Sequence, residues 1–190
     1  MLPRPRIISG VRAPGAIAGL RSAGARLVAA VIASVALSAC SHGEGSKGGP
    51  APAKVALVIG NATYENAPVL VNPVNDANDM CAALRRLGFR TLCHNNLRDR
   101  ADIDARVREY AALLGPATVG VFFYAGHGVQ AGGANYLIPT RADPGSAAAD
   151  PLGVLYGVDD LFEQLRQRPS RLQLVILDAC RTELFDGPGG

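Results

Sequence analysis

From Lys54 onward, short apolar runs rich in β-branched residues alternate with longer stretches in which apolar residues recur at helical spacing. This alternation is typical of parallel strands joined by helical crossovers. It predicts long strands at 55–60, about 89–93, 118–124 and 172–177, and a small hairpin made by 128–131 and 135–138. Helices are predicted at about 74–87, 99–114 and 158–167. The pattern therefore predicts an α/β domain whose mostly parallel sheet is flanked by helices.

Two reactive side chains follow strands of this pattern. His127 lies between two glycines just after the third long strand, and Cys180 lies just after the fourth. In open parallel sheets, chemistry gathers beyond the carboxyl ends of the strands. A thiol needs a nearby base to become a nucleophilic thiolate near neutral pH, and an imidazole supplies one. Either residue alone is usually a core cysteine or a turn histidine, but Cys180 follows His127 by 53 positions, close to the spacing of the caspase pattern.

Four ordered motifs carry a resemblance to a known family. They are Tyr124-Ala125-Gly126-His127-Gly128, Asp178-Ala179-Cys180-Arg181, Ala56-Leu57-Val58-Ile59-Gly60-Asn61 and Asn72-Pro73-Val74-Asn75-Asp76-Ala77. With these motifs, the stretch from about 54 to 185 resembles the caspase and metacaspase family of cysteine peptidases, particularly its bacterial branch. The resemblance implies a caspase-like three-layer sandwich and a cysteine-type endopeptidase that works through a thioester intermediate.

The same resemblance assigns roles to individual residues. Cys180 is the expected nucleophile, His127 the general base and then acid, and the backbone amides of Gly128 and Cys180 the oxyanion donors. Metacaspases cleave after Arg or Lys, and Asp76 and Asp178 match their acidic S1 pocket. The expected partners are therefore proteins or peptides with basic P1 residues. Each acid also has a plain structural explanation, because Asp76 suits a helix N-terminus and Asp178 can hold a loop at a strand end.

Asp159 and Asp160 resemble the acidic pair that helps to bind calcium in some metacaspases. Two acids at the start of a helix are equally well explained by the helix macrodipole. A calcium site also needs several further oxygen ligands, which the sequence does not assemble. Calcium is therefore the only cofactor that the resemblance suggests, and the peptidase reaction itself requires none.

The sequence departs from the family after the cysteine. The chain ends ten residues beyond Cys180, whereas the family continues into a small-subunit region. Thr182-Glu183-Leu184 also differs from the Asp-Asn-Pro usual in bacterial relatives, so we expect the small-subunit portion to be missing, either from a fragment or from a degenerate relative. The alternative function is a catalytically incomplete interaction or scaffold module at the cell envelope. A Rossmann-like nucleotide binder is disfavoured because no Gly-x-Gly-x-x-Gly follows the first strand.

The basic net charge of the chain comes from its N-terminal residues. The formal net charge is +3, but five of the 19 basic residues precede residue 40, and the first acid is Glu44. From Cys40 onward, 14 basic and 16 acidic residues remain, so the domain itself is slightly acidic. The basic character belongs to the leader, and the sequence carries no nucleic-acid footprint.

The first 39 residues are predicted to be a lipoprotein signal peptide. Arginines precede an apolar run from Leu27 to Ala39 that is too short to span a bilayer. The run ends in Leu37-Ser38-Ala39-Cys40, which resembles a lipobox whose cysteine becomes the lipidated first residue; a plain secretory signal and a buried helix are the alternatives. Residues 40–53 are predicted to be a flexible tether, and 54–190 the large-subunit region of the peptidase domain. We therefore expect an exported lipoprotein, anchored to a membrane of the cell envelope or periplasm.

The remaining cysteines leave two interpretations open. If Cys40 is acylated, three cysteines remain, and an odd number leaves at least one free thiol. Cys81, on a helix, and Cys93, at a strand end, are each interpreted as small buried hydrophobic residues. A Cys81–Cys93 disulfide is the alternative, and it would leave Cys180 as the free thiol.

Overall fold

The computed structural model describes residues 53–147 and 149–183, which form one sheet with helices on both of its faces. The strands are β1 (Lys54–Gly60), β2 (Arg90–Asn95), β3 (Val119–Ala131), β4 (Ala134–Leu137), β5 (Tyr156–Gly157) and β6 (Leu172–Glu183). The helices are α1 (Pro73–Arg86), α2 (Arg100–Ala112) and α3 (Val158–Arg166).

The sheet is mostly parallel. β1 pairs in parallel with β2 on one side and with β3 on the other, and β3 pairs in parallel with β6. The distal part of β3 turns back into β4, and β4 pairs with β5; both of these pairings are antiparallel. The predicted parallel sheet and its small hairpin are confirmed.

Two apolar clusters cover the two faces of the sheet. On one face, side chains such as Ile59 and Tyr124 pack with residues of α2 and α3. On the other face, Val58 and Phe123 pack with residues of α1, including Met80. Because strand side chains alternate between faces, this arrangement produces a helix–sheet–helix sandwich, and the predicted three-layer fold is confirmed.

The N-terminus of α1 lies directly against the end of β1. A Cβ atom added at Gly60 would stand 2.6 Å from the carbonyl oxygen of Pro73 and 2.7 Å from the Cβ of Ala77. Real Cβ atoms essentially never make such contacts, so only glycine permits this approach. Gly60 thereby places the first turn of α1, which carries Asp76, at the carboxyl end of the sheet.

Two predicted strand ends were wrong. β3 was expected to end before His127 and β6 before Cys180, but both strands run through these residues. The reason is that β3 continues without a break into its hairpin with β4, while β6 stays in register beside it. The two-residue strand β5 was not predicted, because two residues are too few to show a period.

The interpretation of Cys81 and Cys93 as separate buried thiols was also wrong. The two cysteines form a disulfide that joins α1 to β2, with 6.4 Å between their Cα atoms. Both side chains face the layer between α1 and the sheet, where Cys81 is buried and Cys93 half-buried. The alternative interpretation, a disulfide between these two cysteines, is therefore confirmed.

Among the described residues, no helix has the length and apolar character needed to cross a bilayer. The signal peptide at 1–39, Cys40 and most of the tether lie outside the described residues.

Candidate active site

His127 and Cys180 occupy opposed positions on neighbouring strands. In the parallel pairing of β3 with β6, residue 127 is the register partner of residue 180. Adjacent strands lie about 4.8 Å apart, so the two backbones are separated by about one strand spacing. The structure thus brings together the two residues that the sequence singled out, which lie far apart along the chain.

The imidazole of His127 has a defined partner. Its Nε2 atom lies 2.8 Å from the carbonyl oxygen of Pro68, in the loop between β1 and α1. A carbonyl oxygen can only accept a hydrogen bond, so Nε2 must carry the proton and donate it. In the neutral ring, Nδ1 is then the unprotonated nitrogen, which is the one able to take a proton from a thiol.

The backbone of His127 is held by two tyrosines. The hydroxyl oxygen of Tyr64 accepts a hydrogen bond from the His127 amide at 2.8 Å. The hydroxyl of Tyr124 donates to the His127 carbonyl oxygen, also at 2.8 Å. The ring of Tyr64 lies against the imidazole, with 4.6 Å between ring centroids. The backbone amide and the backbone carbonyl of His127 therefore each have a hydrogen-bond partner.

Sequence reasoning missed the contacts of Tyr64 and Pro68. Pro68 acts through its backbone, which leaves no side-chain signal. Tyr64 is a buried aromatic residue in the loop between β1 and α1, for which the sequence pattern predicts neither helix nor strand. An aromatic residue shortly after a strand end, among polar neighbours, was the available signal.

Asn61 ties together the loops around the site. Its side chain is fully buried, donates to the carbonyl oxygen of Ile138 at 3.2 Å and accepts from the amide of Leu97 at 3.0 Å. Its own amide donates to the carbonyl oxygen of Ala125 on β3. One residue at the end of β1 therefore links three segments that meet at the carboxyl end of the sheet.

Asp76 and Asp178 come together on the α1 side of the sheet. Asp178 is in register with Ala125, whose side chain packs in the α1-facing cluster. Burial raises the pKa of Asp76 above its ordinary value, and the negative charges of Asp178 and Asp79 raise it further. Asp76 is half-buried and Asp178 is exposed, so the two form an acidic patch that a cation could reach.

The candidate oxyanion donors are backbone amides of the same two strands. Gly128 follows His127 on β3, and its register partners are residue 181 on β6 and Leu137 on β4. The amide of Cys180 lies one position earlier along β6. These positions put both amides beside the His127–Cys180 pair, and their role with an oxyanion remains a prediction.

Asp159 and Asp160 lie elsewhere, in the first turn of α3. Asp160 accepts an ion-pair contact from Arg100 at 3.0 Å, and both acids line a shallow cavity together with Asp150. Across 53–147 and 149–183, no group of three or more His, Cys, Asp or Glu side chains is arranged to hold a metal ion. The arginine cation that pairs with Asp160 and the small number of ligands among the described residues do not fit a calcium site.

Comparison with known proteins agrees with this geometry. The family model described as "Caspase domain", of the C14 peptidases, matches residues 53–189. The chain therefore belongs to the caspase domain family of cysteine peptidases. Human mucosa-associated lymphoid tissue lymphoma translocation protein 1 is 30% identical over 130 residues, which cover 67% of this chain and 15% of that protein. The mouse homologue is 30% identical over 128 residues, again 67% and 15%.

The chain thus spans only a small part of the length of these relatives. What it shares with them is the caspase domain, the domain of the C14 family of cysteine peptidases.

Proposed function

We propose that this protein is a cysteine endopeptidase that cleaves after Arg or Lys, with Cys180 as nucleophile and His127 as its base. The observation that carries the proposal is the opposed placement of residues 127 and 180 on β3 and β6. The contact of His127 Nε2 with the Pro68 carbonyl supports it, because this contact leaves Nδ1 as the basic nitrogen.

The reaction proceeds in two acyl transfers. The Cys180 thiol gives its proton to His127, and the thiolate attacks the scissile carbonyl carbon. The amides of Gly128 and Cys180 stabilise the oxyanion. When the carbon–nitrogen bond breaks, the imidazolium of His127 protonates the departing amine and leaves a thioester on Cys180. Water then attacks the thioester with His127 as base, which releases the acid and restores the thiol.

The acidic patch supports a basic P1 preference. Asp76 and Asp178 repel each other, and the pKa of Asp76 is raised by burial and by that repulsion. A guanidinium or ammonium group between them would relieve the repulsion and could pair with either carboxylate. An acidic P1 side chain would add a third negative charge, so we expect substrates with Asp at P1 to be rejected.

We further propose that the domain works outside the cytoplasm, anchored through a lipid on Cys40. The lipobox-like tetrapeptide carries this proposal, and the Cys81–Cys93 disulfide supports it. Structural disulfides form and persist mainly in oxidising compartments. The membrane then acts as a partner through the lipid, while the peptidase domain faces its substrates.

The proposed activity is tested with matched peptides that differ only in P1, carrying Arg, Lys, Gln or Asp. The full-length protein should cleave the Arg and Lys peptides and leave the Asp peptide intact. Cys180→Ala, His127→Ala and the double variant should all fall to a similar floor, because residues that act as a unit are strongly non-additive. A folded wild-type protein that cleaves none of the peptides, and whose substitutions change nothing, would favour the scaffold function.

A further inference from the structure

The loop between β1 and α1 contacts His127 in three ways. Its Tyr64 hydroxyl accepts from the His127 amide at 2.8 Å, its Tyr64 ring packs on the imidazole, and its Pro68 carbonyl accepts from Nε2. We propose that Tyr64 is a positioning residue, which sets the orientation and tautomer of the His127 imidazole by fixing the backbone from which it extends. This inference rests on the proposed function, in which His127 is the base.

The direction of the hydrogen bonds follows from their acceptors. The single hydroxyl proton of Tyr124 is shared between two carbonyl oxygens, those of His127 at 2.8 Å and Ile138 at 3.2 Å, and these can only accept. Its hydroxyl oxygen is therefore the acceptor for the Tyr64 proton, at 3.5 Å. Tyr64 thus accepts from the amide of His127 and donates to the tyrosine that binds its carbonyl. The two phenols and the backbone of His127 therefore form a closed ring of hydrogen bonds.

Both phenols stay protonated under working conditions. Burial raises the pKa of Tyr64, and burial raises the pKa of Tyr124 well above the ordinary value. Buried polar groups are costly to leave unpaired, so removing the Tyr64 hydroxyl would strand the amide of His127. The network is therefore a fixed support and takes no part in proton transfer.

Gly126 packs directly against the two tyrosine hydroxyls. A Cβ atom at residue 126 would lie 2.7 Å from the hydroxyl oxygens of both Tyr64 and Tyr124. A side chain there would displace one of them. The glycine before His127 is thus required by the tyrosine pair as well as by its own positive φ of 157°.

The test compares Tyr64→Phe, which keeps the ring, with Tyr64→Leu, which removes it. Tyr110→Phe is the matched control: Tyr110 is fully buried and donates to Gln173, beside Gly120 at the other end of β3. All three variants lose a buried hydroxyl, so thermal unfolding corrects for general destabilisation. We expect Tyr64→Phe to lower kcat about tenfold with KM changed less than twofold, Tyr64→Leu to lower it further, and Tyr110→Phe to leave both constants unchanged. Equal kcat losses in Tyr64→Phe and Tyr110→Phe would overturn the proposal.

A readout that does not need activity separates this inference from the proposed function. The sequence has three histidines, so ¹⁵N-histidine NMR is tractable, and His127→Gln assigns the signal of interest. The wild type should show a single Nε2–H tautomer for neutral His127, and the Tyr64 variants a mixture of the two tautomers. An unchanged single tautomer in both variants would overturn the positioning role, whether or not the protein cleaves peptides. The expected NMR result in a protein that cleaves nothing would overturn the proposed function alone.

Discussion

Asp76 on α1 and Asp178 on β6 repel each other across the carboxyl end of the sheet. The pKa of Asp76 is raised, first by burial, then by the negative charge of Asp178, and further by Asp79. Arrangements that hold like charges together are unfavourable unless a ligand compensates them, and they recur at functional sites. The two acids are therefore the part of the structure that most directly indicates a positively charged substrate side chain.

Neutralising either acid should weaken cleavage after Arg. We expect Asp178→Asn to lower kcat/KM for an Arg peptide. The loss should correspond to about 2 kcal/mol of transition-state stabilisation, the scale of a charge that loses its partner in a bound complex. Asp76→Asn should cost at least as much, because Asp76 is the more buried of the two. Asp159→Asn, on α3 at the opposite face of the sheet, is the control. Unchanged kcat/KM in both variants, or a preference for Asp at P1, would refute the pocket assignment.

The raised pKa of Asp76 also predicts a pH effect on stability. The folded state binds this proton more tightly than the unfolded chain, so the group's contribution is present at low pH and is lost as pH rises through its raised pKa. Asp76→Asn should therefore increase the free energy of unfolding at neutral pH and flatten its pH dependence. Urea unfolding at a series of pH values measures both effects. In Asp178→Asn, the carboxyl signal of Asp76 should titrate at lower pH; no shift there would contradict the repulsion.

The sequence predicted the fold and the central pair because both leave a one-dimensional signal. Apolar runs and helical periods marked the three helices and the long parallel strands, and parallel strands place their carboxyl ends together. The spacing of His127 and Cys180 marked them as a candidate pair, and their opposed placement on β3 and β6 agrees with it, while their catalytic role stays a prediction.

The residues that hold His127 in place left no periodic or spacing signal in the sequence. The contact from Pro68 is made by a backbone carbonyl, and Tyr64 lies in a loop without periodicity. The ends of β3 and β6 were misplaced because glycines around His127 indicate a turn locally, while pairing with neighbouring strands keeps the backbone extended. Tertiary pairing overrides local preference in such cases.

The Cys81–Cys93 disulfide should contribute measurably to stability. It closes a loop with a sequence separation of 12, for which the loss of chain entropy in the unfolded state predicts about 3 kcal/mol. The double variant Cys81→Ala with Cys93→Ala should lower the free energy of unfolding by about that amount, and a reducing agent should do the same to the wild type. Cys180→Ala, which keeps the bridge, is the control, and its stability should remain sensitive to the reducing agent. A wild type whose unfolding ignores the reducing agent would contradict the bridge.

Anchoring through Cys40 is tested by metabolic labelling with a fatty acid probe. The wild type should carry the label and fractionate with membranes, because the lipobox-like sequence directs acylation of that cysteine. Cys40→Ala should lose the label, while Cys81→Ala should keep it. Equal labelling of the wild type and Cys40→Ala would refute the lipid anchor.

The central claim is that His127 activates the thiol of Cys180, and the rate of alkylation of that thiol measures it most directly. Cys81 and Cys93 are joined in a disulfide and offer no thiol for comparison, so N-acetylcysteine provides the reference for an unactivated thiol. An ordinary thiol has a pKa of about 8.5 and is almost fully protonated at pH 6. At that pH, iodoacetamide should modify Cys180 of the folded full-length protein at least about ten times faster than N-acetylcysteine, and His127→Ala should abolish the advantage. A Cys180 that reacts at the reference rate, unchanged by His127→Ala, would contradict the account.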